Sequence, residues 1–176
     1  DEGGHTRIYA LTLDDASLHW TYESEDGFPK SLYATQETLI FVGYQDFMNG
    51  LDVETGKIRW RFDTGNWTPS FLGDGNAVYF SSANTQVFAL DANMGETLWT
   101  FDIPTGTFNY LLDTPILIDG SLYFLTQQGD CFALDALTGE LLWQTKTDVS
   151  AARTSPAIGG GWVIIGDIEG NVYGYK

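Results

Sequence analysis

Apolar residues in this chain fall in short alternating or continuous runs, each broken after a few positions by a polar, turn-forming cluster. Residues 114–145 show the arrangement best. Thr114-Pro115-Ile116-Leu117-Ile118 predicts a strand with proline at its start, where the missing N–H costs least. Asp119-Gly120 predicts a hairpin turn, because glycine suits the positive φ such turns require. Ser121-Leu122-Tyr123-Phe124-Leu125-Thr126 is the second strand, and Gln128-Gly129-Asp130 turns into a third at Cys131-Phe132-Ala133-Leu134. Leu137-Thr138-Gly139 then turns into a fourth, Glu140 to Thr145. These runs are rich in β-branched and aromatic residues, and no stretch carries the 3.6-residue period of a helix.

The same pattern recurs along the chain. Residues 50–60, 89–99 and 133–143 align without gaps. They open on Gly50-Leu51-Asp52, Ala89-Leu90-Asp91 and Ala133-Leu134-Asp135, carry Gly56, Gly95 and Gly139 in the middle, and close on Trp60, Trp99 and Trp143. A weaker copy runs from Ala10-Leu11 to Trp20, with Ala16 in place of the glycine. The tryptophans are spaced by 40, 39 and 44 residues, and Pro29, Pro69, Pro115 and Pro156 keep the same beat. Two independent markers in phase four times identify a repeat. A four-stranded sheet of this size cannot bury both faces alone, so it must stack on its neighbours. Repeats of this length stack radially as propeller blades. The tryptophans sit where a broad ring covers the next blade. The glycines are expected in left-handed turns whose missing Cβ leaves a flat seat for an indole. Trp20, Trp60, Trp99, Trp143, Gly56, Gly95 and Gly139 are thus the expected docking residues.

The pattern Ala-x-Asp-x-x-x-Gly-x-x-x-Trp, best matched at residues 89–99 and 133–143, resembles the tryptophan-docking motif of the pyrroloquinoline-quinone-like propeller repeats. The resemblance covers nearly the whole chain and implies an all-β propeller of four-stranded antiparallel blades, of the same general architecture as WD40 proteins. It does not select an activity. Members of that family include calcium- and quinone-dependent alcohol and sugar dehydrogenases, a lipoprotein subunit of the outer-membrane protein assembly machinery, and sensor domains of membrane kinases.

The expected domain is single, spanning residues 1–176. Its repeat units are 1–22 (partial), 28–62, 68–101, 113–145 and 155–176 (partial). Counting strands gives two, then twelve, then three, one too many for four closed blades. Members of the family usually close seven or eight blades. Three readings therefore stand: a part-propeller belonging to a longer protein, two copies completing a ring of about eight blades, or self-closure with shared strands. An open array exposes apolar faces and unpaired edges, which favours a homodimer.

Composition narrows the function classes. There are 24 Asp and Glu against 8 Lys and Arg, a net charge of −16. A field of that sign repels phosphate backbones and anionic lipid surfaces, so neither nucleic acid nor a lipid surface is an expected partner. No apolar run reaches the ~20 residues that span a bilayer, so direct membrane insertion is not expected. The opening Asp1-Glu2-Gly3-Gly4 is turn material rather than a signal peptide, as in a mature export product. The single cysteine, Cys131, aligns with Val87 and Val172 and reads as a small buried hydrophobe.

Candidate chemistry is sparse. His5 and His19 lie in no nucleophile pattern and read as solvent or edge residues. Gly159-Gly160-Gly161 is followed by a strand, so it is a hairpin turn and not a phosphate loop. The acidic loop 167–171 has some of the residue types of a calcium loop, yet in the other copies that position is a plain turn. The resemblance to the quinone enzymes would imply a calcium site, a catalytic Asp and a clamp over the cofactor, often a pair of adjacent cysteines. The chain has no such pair and offers no clear ligand set. The expectation is therefore no cofactor, no metal and no catalysis.

What remains is surface. The inter-blade connections gather on one rim, and two stand out. The longest, 102–114, explains the 44-residue spacing and places Phe108, Asn109, Tyr110 and Leu111 in a loop, where aromatic and apolar groups serve either as binding anchors or as a plug of the propeller's own axis. Another carries Arg153, one of few cations, and a third carries Trp67. The reading is an exported, non-catalytic scaffold, periplasmic or extracellular and tethered to a membrane in a full-length protein, that binds a protein or peptide through these loops. A fragment of a quinone- and calcium-dependent dehydrogenase is the alternative. The acidity itself makes a testable claim. If it adapts the protein to a salt-rich habitat, screening of carboxylate repulsion, with a Debye length of about 3 Å at 1 M, raises the melting temperature steeply into molar chloride. A flat melting profile across that range identifies the charge as a solubility device only.

Overall fold

The computed structural model describes residues 6–24, 31–43, 46–65, 68, 70–82, 85–104, 114–149 and 156–176. Every regular element in them is a strand. Strands β1 (Thr6–Leu11) and β2 (Leu18–Ser24) form a two-stranded sheet. Three four-stranded sheets follow. The first is β3 (Ser31–Ala34), β4 (Thr38–Val42), β5 (Phe47–Asp52) and β6 (Ile58–Asp63). The second is β7 (Phe71–Gly73), β8 (Ala77–Ser82), β9 (Gln86–Asp91) and β10 (Thr97–Asp102). The third is β11 (Ile116–Ile118), β12 (Ser121–Leu125), β13 (Asp130–Asp135) and β14 (Leu141–Lys146). The last sheet has three strands, β15 (Ala157–Gly159), β16 (Trp162–Gly166) and β17 (Val172–Tyr175). Within each sheet the strands pair antiparallel in chain order, the arrangement of propeller blades. The strand expected from Thr114 begins only at Ile116, after Pro115, which has no N–H to offer a ladder. Gly160 and Gly161, at φ of 60° and 78°, make the turn between β15 and β16.

The core lies between sheets rather than inside any one of them. Between the first and second full sheets, Ile40, Val42, Met48 and Trp60 meet Phe71, Val78, Phe80 and Leu90. Between the second and third, Ala77, Tyr79, Val87 and Trp99 meet Leu122, Phe124, Phe132 and Leu134. Each of these two interfaces repeats one aromatic unit. Phe80 stacks on Phe88 at 5.1 Å, and Phe124 on Phe132 at 5.2 Å, as cross-strand pairs. Phe62 and Phe101, two residues after the tryptophans of the preceding sheets, meet these pairs edge-on. The interface with the last sheet is built from smaller groups, Leu125, Cys131, Val149 and Ile165. Thr145 stands there where the other sheets have Phe62 and Phe101.

The repeated motif has a local physical logic. Asp52, Asp91 and Asp135 accept backbone N–H bonds from the turns they open: Thr55 at 2.9 Å, Asn93 and Met94 at 2.8 Å, Leu137 at 3.0 Å and Thr138 at 2.9 Å. Hydrogen bonds from Thr55 and Thr138 hold the Asp52 and Asp135 carboxyls below the usual carboxylate range. Gly56, Gly95 and Gly139 close the same turns at φ of 67°, 70° and 74°, each N–H bonding the carbonyl of its aspartate. A bulge follows. His19, Arg59, Leu98 and Leu142 are extra residues in the fourth strands, so that Trp20, Trp60, Trp99 and Trp143 lie opposite Ala10, Gly50, Ala89 and Ala133. Small residues opposite leave the rings room to lean toward the next sheet.

Deleting one docked ring tests this reading. Trp99 is 9% exposed, and its indole N–H donates to the Ala136 carbonyl at 3.0 Å. Trp99→Ala is expected to cost about 3–5 kcal/mol, the range for removing a buried large aromatic. Equilibrium denaturation measures it; a loss below about 1 kcal/mol, the scale of surface substitutions, excludes docking as a stabilising contact.

Candidate partner-binding surface

Three tryptophans rest on three glycines of the following sheet. A Cβ built on Gly56 would stand 2.7 Å from the Trp20 ring, one on Gly95 2.5 Å from Trp60, and one on Gly139 2.6 Å from Trp99. No side chain fits those gaps. The Trp20 indole N–H donates to the Val53 carbonyl at 2.7 Å, as Trp99 does to Ala136. Trp60 differs. Its ring settles into the space where Gly50, opposite it, lacks a Cβ, and its N–H has no hydrogen-bond partner among the described residues. Among the described residues no glycine turn lies under Trp143. It is 40% exposed, against 8% for Trp60 and 9% for Trp99, and it packs on Tyr123 of its own sheet at 5.9 Å between ring centroids.

The rim at the other ends of these strands carries the connections between blades. Their roots are tied down by one recurring device. Thr64, Ile103 and Thr147, just past the fourth strands, donate backbone N–H bonds to the carbonyls of Asp46, Thr85 and Gly129 at 2.8, 2.9 and 2.8 Å. Those three acceptors sit in the turn between second and third strands, all at positive φ of 52°, 64° and 84°. The Thr64 and Thr147 hydroxyls add a second bond to the same carbonyls. Ile103, Thr147 and Val149 are buried, so the connections leave from anchored points. Trp67, Phe108, Asn109, Tyr110, Leu111 and Arg153 lie beyond these roots and outside the described residues, as does His5.

The described part of this rim is acidic and largely self-satisfied. Asp102 accepts from the Gln86 amide at 2.6 Å, Lys146 pairs with Asp130 at 3.1 Å, and Arg7 pairs with Glu23 at 3.3 Å. Arg61 lies over the Phe47 ring at 3.8 Å. Loop 167–171 is organised around one carboxylate. Asp167 accepts from the Glu169 and Asn171 backbone N–H groups, the Asn171 amide and the Tyr173 hydroxyl, all at 2.9 Å. These bonds, that of the Asn171 side chain foremost, hold the Asp167 carboxyl below its ordinary pKa. Among the described residues no three metal-ligating side chains converge.

The remaining candidates are placed plainly. His19 is a bulge residue, exposed and 4.0 Å from the Glu54 carboxylate. Cys131 is buried between the last two sheets, and burial pushes its thiol up to about 11, far from a nucleophile's range. The sequence reading expected an open array to expose apolar faces but did not name the residues on them. The front face of the first sheet exposes Tyr9, Leu11 and Leu18, with Leu13 fully exposed beside it. The far face of the last sheet exposes Trp162, Ile164 and Val172. The signal was the alternation within these strands: Ile8 and Tyr22 face the next sheet, while Tyr9 and Leu18 lie on the opposite, exposed face.

Comparison with known proteins gives concordant results. The family model described as outer membrane protein assembly factor BamB matches residues 65–176. Outer membrane protein assembly factor BamB of Escherichia coli (strain K12) is 30% identical over 132 residues, which cover 75% of this chain and 33% of that protein. The chain thus spans about a third of the length of the curated relatives it matches. Among solved structures, BamB from Moraxella catarrhalis superposes with a TM-score of 0.62 at 20% identity, covering 96% of this chain and 64% of that one. The computationally designed Ika8 protein superposes with a TM-score of 0.78 at 14% identity, covering 95% of this chain and 51% of that one. These two structural likenesses speak to the fold.

Proposed function

This chain belongs to the outer membrane protein assembly factor BamB family, and from that premise we propose that it is a non-catalytic propeller scaffold that grips a protein or peptide partner through its inter-blade loops. The observation that carries the reading is the recurring root geometry. Thr64, Ile103 and Thr147 are held by equivalent bonds, so the loops bearing Trp67, Phe108–Leu111 and Arg153 start from one rim at equivalent points. Aromatic and apolar anchors with a single cation, on loops rising from a rigid and otherwise acidic rim, are the materials of a protein-binding patch. The named function of the relatives, assembly of outer membrane proteins, points the same way and away from a quinone dehydrogenase. It also supports an exported setting, periplasmic or extracellular, with a membrane tether in the full-length protein.

The uncovered end faces extend the proposal. Tyr9, Leu11 and Leu18 at the front and Trp162, Ile164 and Val172 at the back are each about half exposed or more. Covering such faces gains roughly 25 cal/mol per Å² of apolar area. Two copies stacked front to back about a two-fold axis would close a ring and bring both sets of loops to one side.

Two measurements check these readings. With a photo-crosslinking residue placed at 108, 110 or 153 in the producing cell, crosslinks to a membrane-assembly protein are expected, and placement at Ile58 or Met94 on the opposite rim yields none. Equal crosslinking from both rims, or dye-linked alcohol oxidation once quinone and calcium are added, overturns the scaffold reading. Sedimentation equilibrium over a hundredfold concentration range is expected to show a monomer–dimer equilibrium; a monomer throughout removes the dimer and leaves the loop reading intact.

A further inference from the structure

Each junction between sheets repeats one pair of rim positions, and one junction fills them differently. The pair is the bulge residue of a fourth strand and, on the next sheet, the second residue after the turn's aspartate. At the first junction these are His19 and Glu54, 4.0 Å apart. At the second they are Arg59, which meets Glu37 and Asp52, and Asn93, which accepts the Thr35 hydroxyl at 2.8 Å. At the third, between the second and third full sheets, they are Leu98 and Leu137, 52% and 85% exposed. Both line a cleft of about 310 Å³, together with Leu117 and Tyr79. The corresponding cleft one junction earlier is lined by Thr35, Gln36, Glu37 and Asn93, groups that water solvates well. Both walls of the leucine cleft belong to complete four-stranded sheets in the middle of the array.

Charge marks the same place independently. From Phe62 to Thr145 the sequence holds ten Asp and Glu and no Lys, Arg or His. Two of those carboxylates, Asp74 and Asp135, line the cleft, and among the described residues no cation does. The Tyr79 hydroxyl donates to Asp74 at 3.0 Å. Burial pushes the Tyr79 phenol up, and the bond to Asp74 and the charges of Asp74 and Asp135 push it the same way, so both carboxylates act on one space. Hydrogen bonds from Thr138 keep Asp135 ionised. Apolar walls beside two carboxylates disfavour a purely apolar occupant, which would desolvate the charges without pairing them. A purely cationic occupant gains nothing from the leucines.

We propose that this cleft docks a segment of a partner protein in which an aliphatic or aromatic side chain is flanked by lysine or arginine. The apolar side chain enters between Leu98 and Leu137, and the cations meet Asp74 and Asp135. Burial of the leucines supplies affinity, while the opposite charges steer and select the segment. Charge complementarity favours that occupant over a second copy of this chain, whose own net charge is −16. The cleft opens on the rim of the docking turns, opposite the inter-blade connections, so the inference is independent of the loop reading. Ile58 and Met94 do not line it.

Selection from a displayed library of random peptides over the immobilised full chain tests the proposal. Enriched peptides are expected to combine an aliphatic or aromatic residue with neighbouring Lys or Arg. Binding of a synthetic enriched peptide is read by fluorescence anisotropy. It is expected to weaken about tenfold when the peptide's apolar residue becomes glycine, and about tenfold with the protein carrying both Leu98→Arg and Leu137→Asn. That variant has the residue pair of the neighbouring junction and is expected to melt as the parent does. Raising chloride from about 0.05 M to about 1 M is expected to weaken binding as well. A photoreactive group on the peptide maps the site on the unsubstituted protein, with labelling expected at residues 98, 117 or 137. No enrichment, a consensus without cations, binding indifferent to chloride, or equal binding by the glycine peptide or to the double variant overturns the cleft. Labelling confined to the inter-blade loops overturns it too, and leaves the loop reading standing.

Discussion

An indole can lie flat on a backbone turn only where that turn has no Cβ, and three times in this chain the two halves of that fit come from successive sheets. Gly56, Gly95 and Gly139 are therefore not free to vary, since any side chain would have to occupy the ring's own volume. Other features follow from the same contact. The turn must hold a glycine at positive φ, so an aspartate caps it and fixes its shape. The ring must leave its own sheet, so a bulge precedes it and a small residue lies opposite. Once the ring is seated, the residue two positions on falls against the next sheet's aromatic pair, as Phe62 and Phe101 do. Packing between sheets is thus specified by a few residues that recur with the period, while each sheet alone would have no core.

That is why so much of the fold could be read from residue order. Tryptophan, glycine, aspartate and proline in phase announce the blade, and turn residues between apolar runs give seventeen strands, the number formed among the described residues. The bulges were not legible, because one extra residue breaks the two-residue alternation only locally, and the extra residue varies between copies, from His19 and Arg59 to Leu98 and Leu142. Nor was the deeper seat of Trp60 legible. It depends on Gly50 standing where other copies have alanine, a difference of one methyl group. The loop residues Trp67, Phe108–Leu111 and Arg153 were legible only as composition, because loops carry no periodic constraint that places a side chain. Their anchored roots emerge from geometry: Asp46, Thr85 and Gly129 share no side chain, only a positive φ.

The charge of the chain and its cohesion occupy different places. Described carboxylates sit largely on rims and turns, where they cap backbone N–H groups or meet scattered cations, as Glu37 and Asp52 meet Arg59 at 3.1 and 3.7 Å. Between sheets the contacts are mainly apolar or aromatic, joined by uncharged hydrogen bonds such as those of the Trp20 and Trp99 indoles. A net charge of −16 therefore repels across solvent without entering the interfaces, and screening can act on it without disturbing the docks.

In an array whose units touch only their neighbours, stability is close to a sum over interfaces, and the interfaces here are unequal. The two central ones each hold a docked tryptophan and a stacked phenylalanine pair. The first joins Trp20, Tyr22 and Ile8 to Phe41 and Leu51. The last has an uncovered tryptophan, a threonine in place of the edge-on phenylalanine, and Cys131, Val149 and Ile165 as its buried groups. Less apolar surface is removed from water there, so the last sheet is the least firmly held.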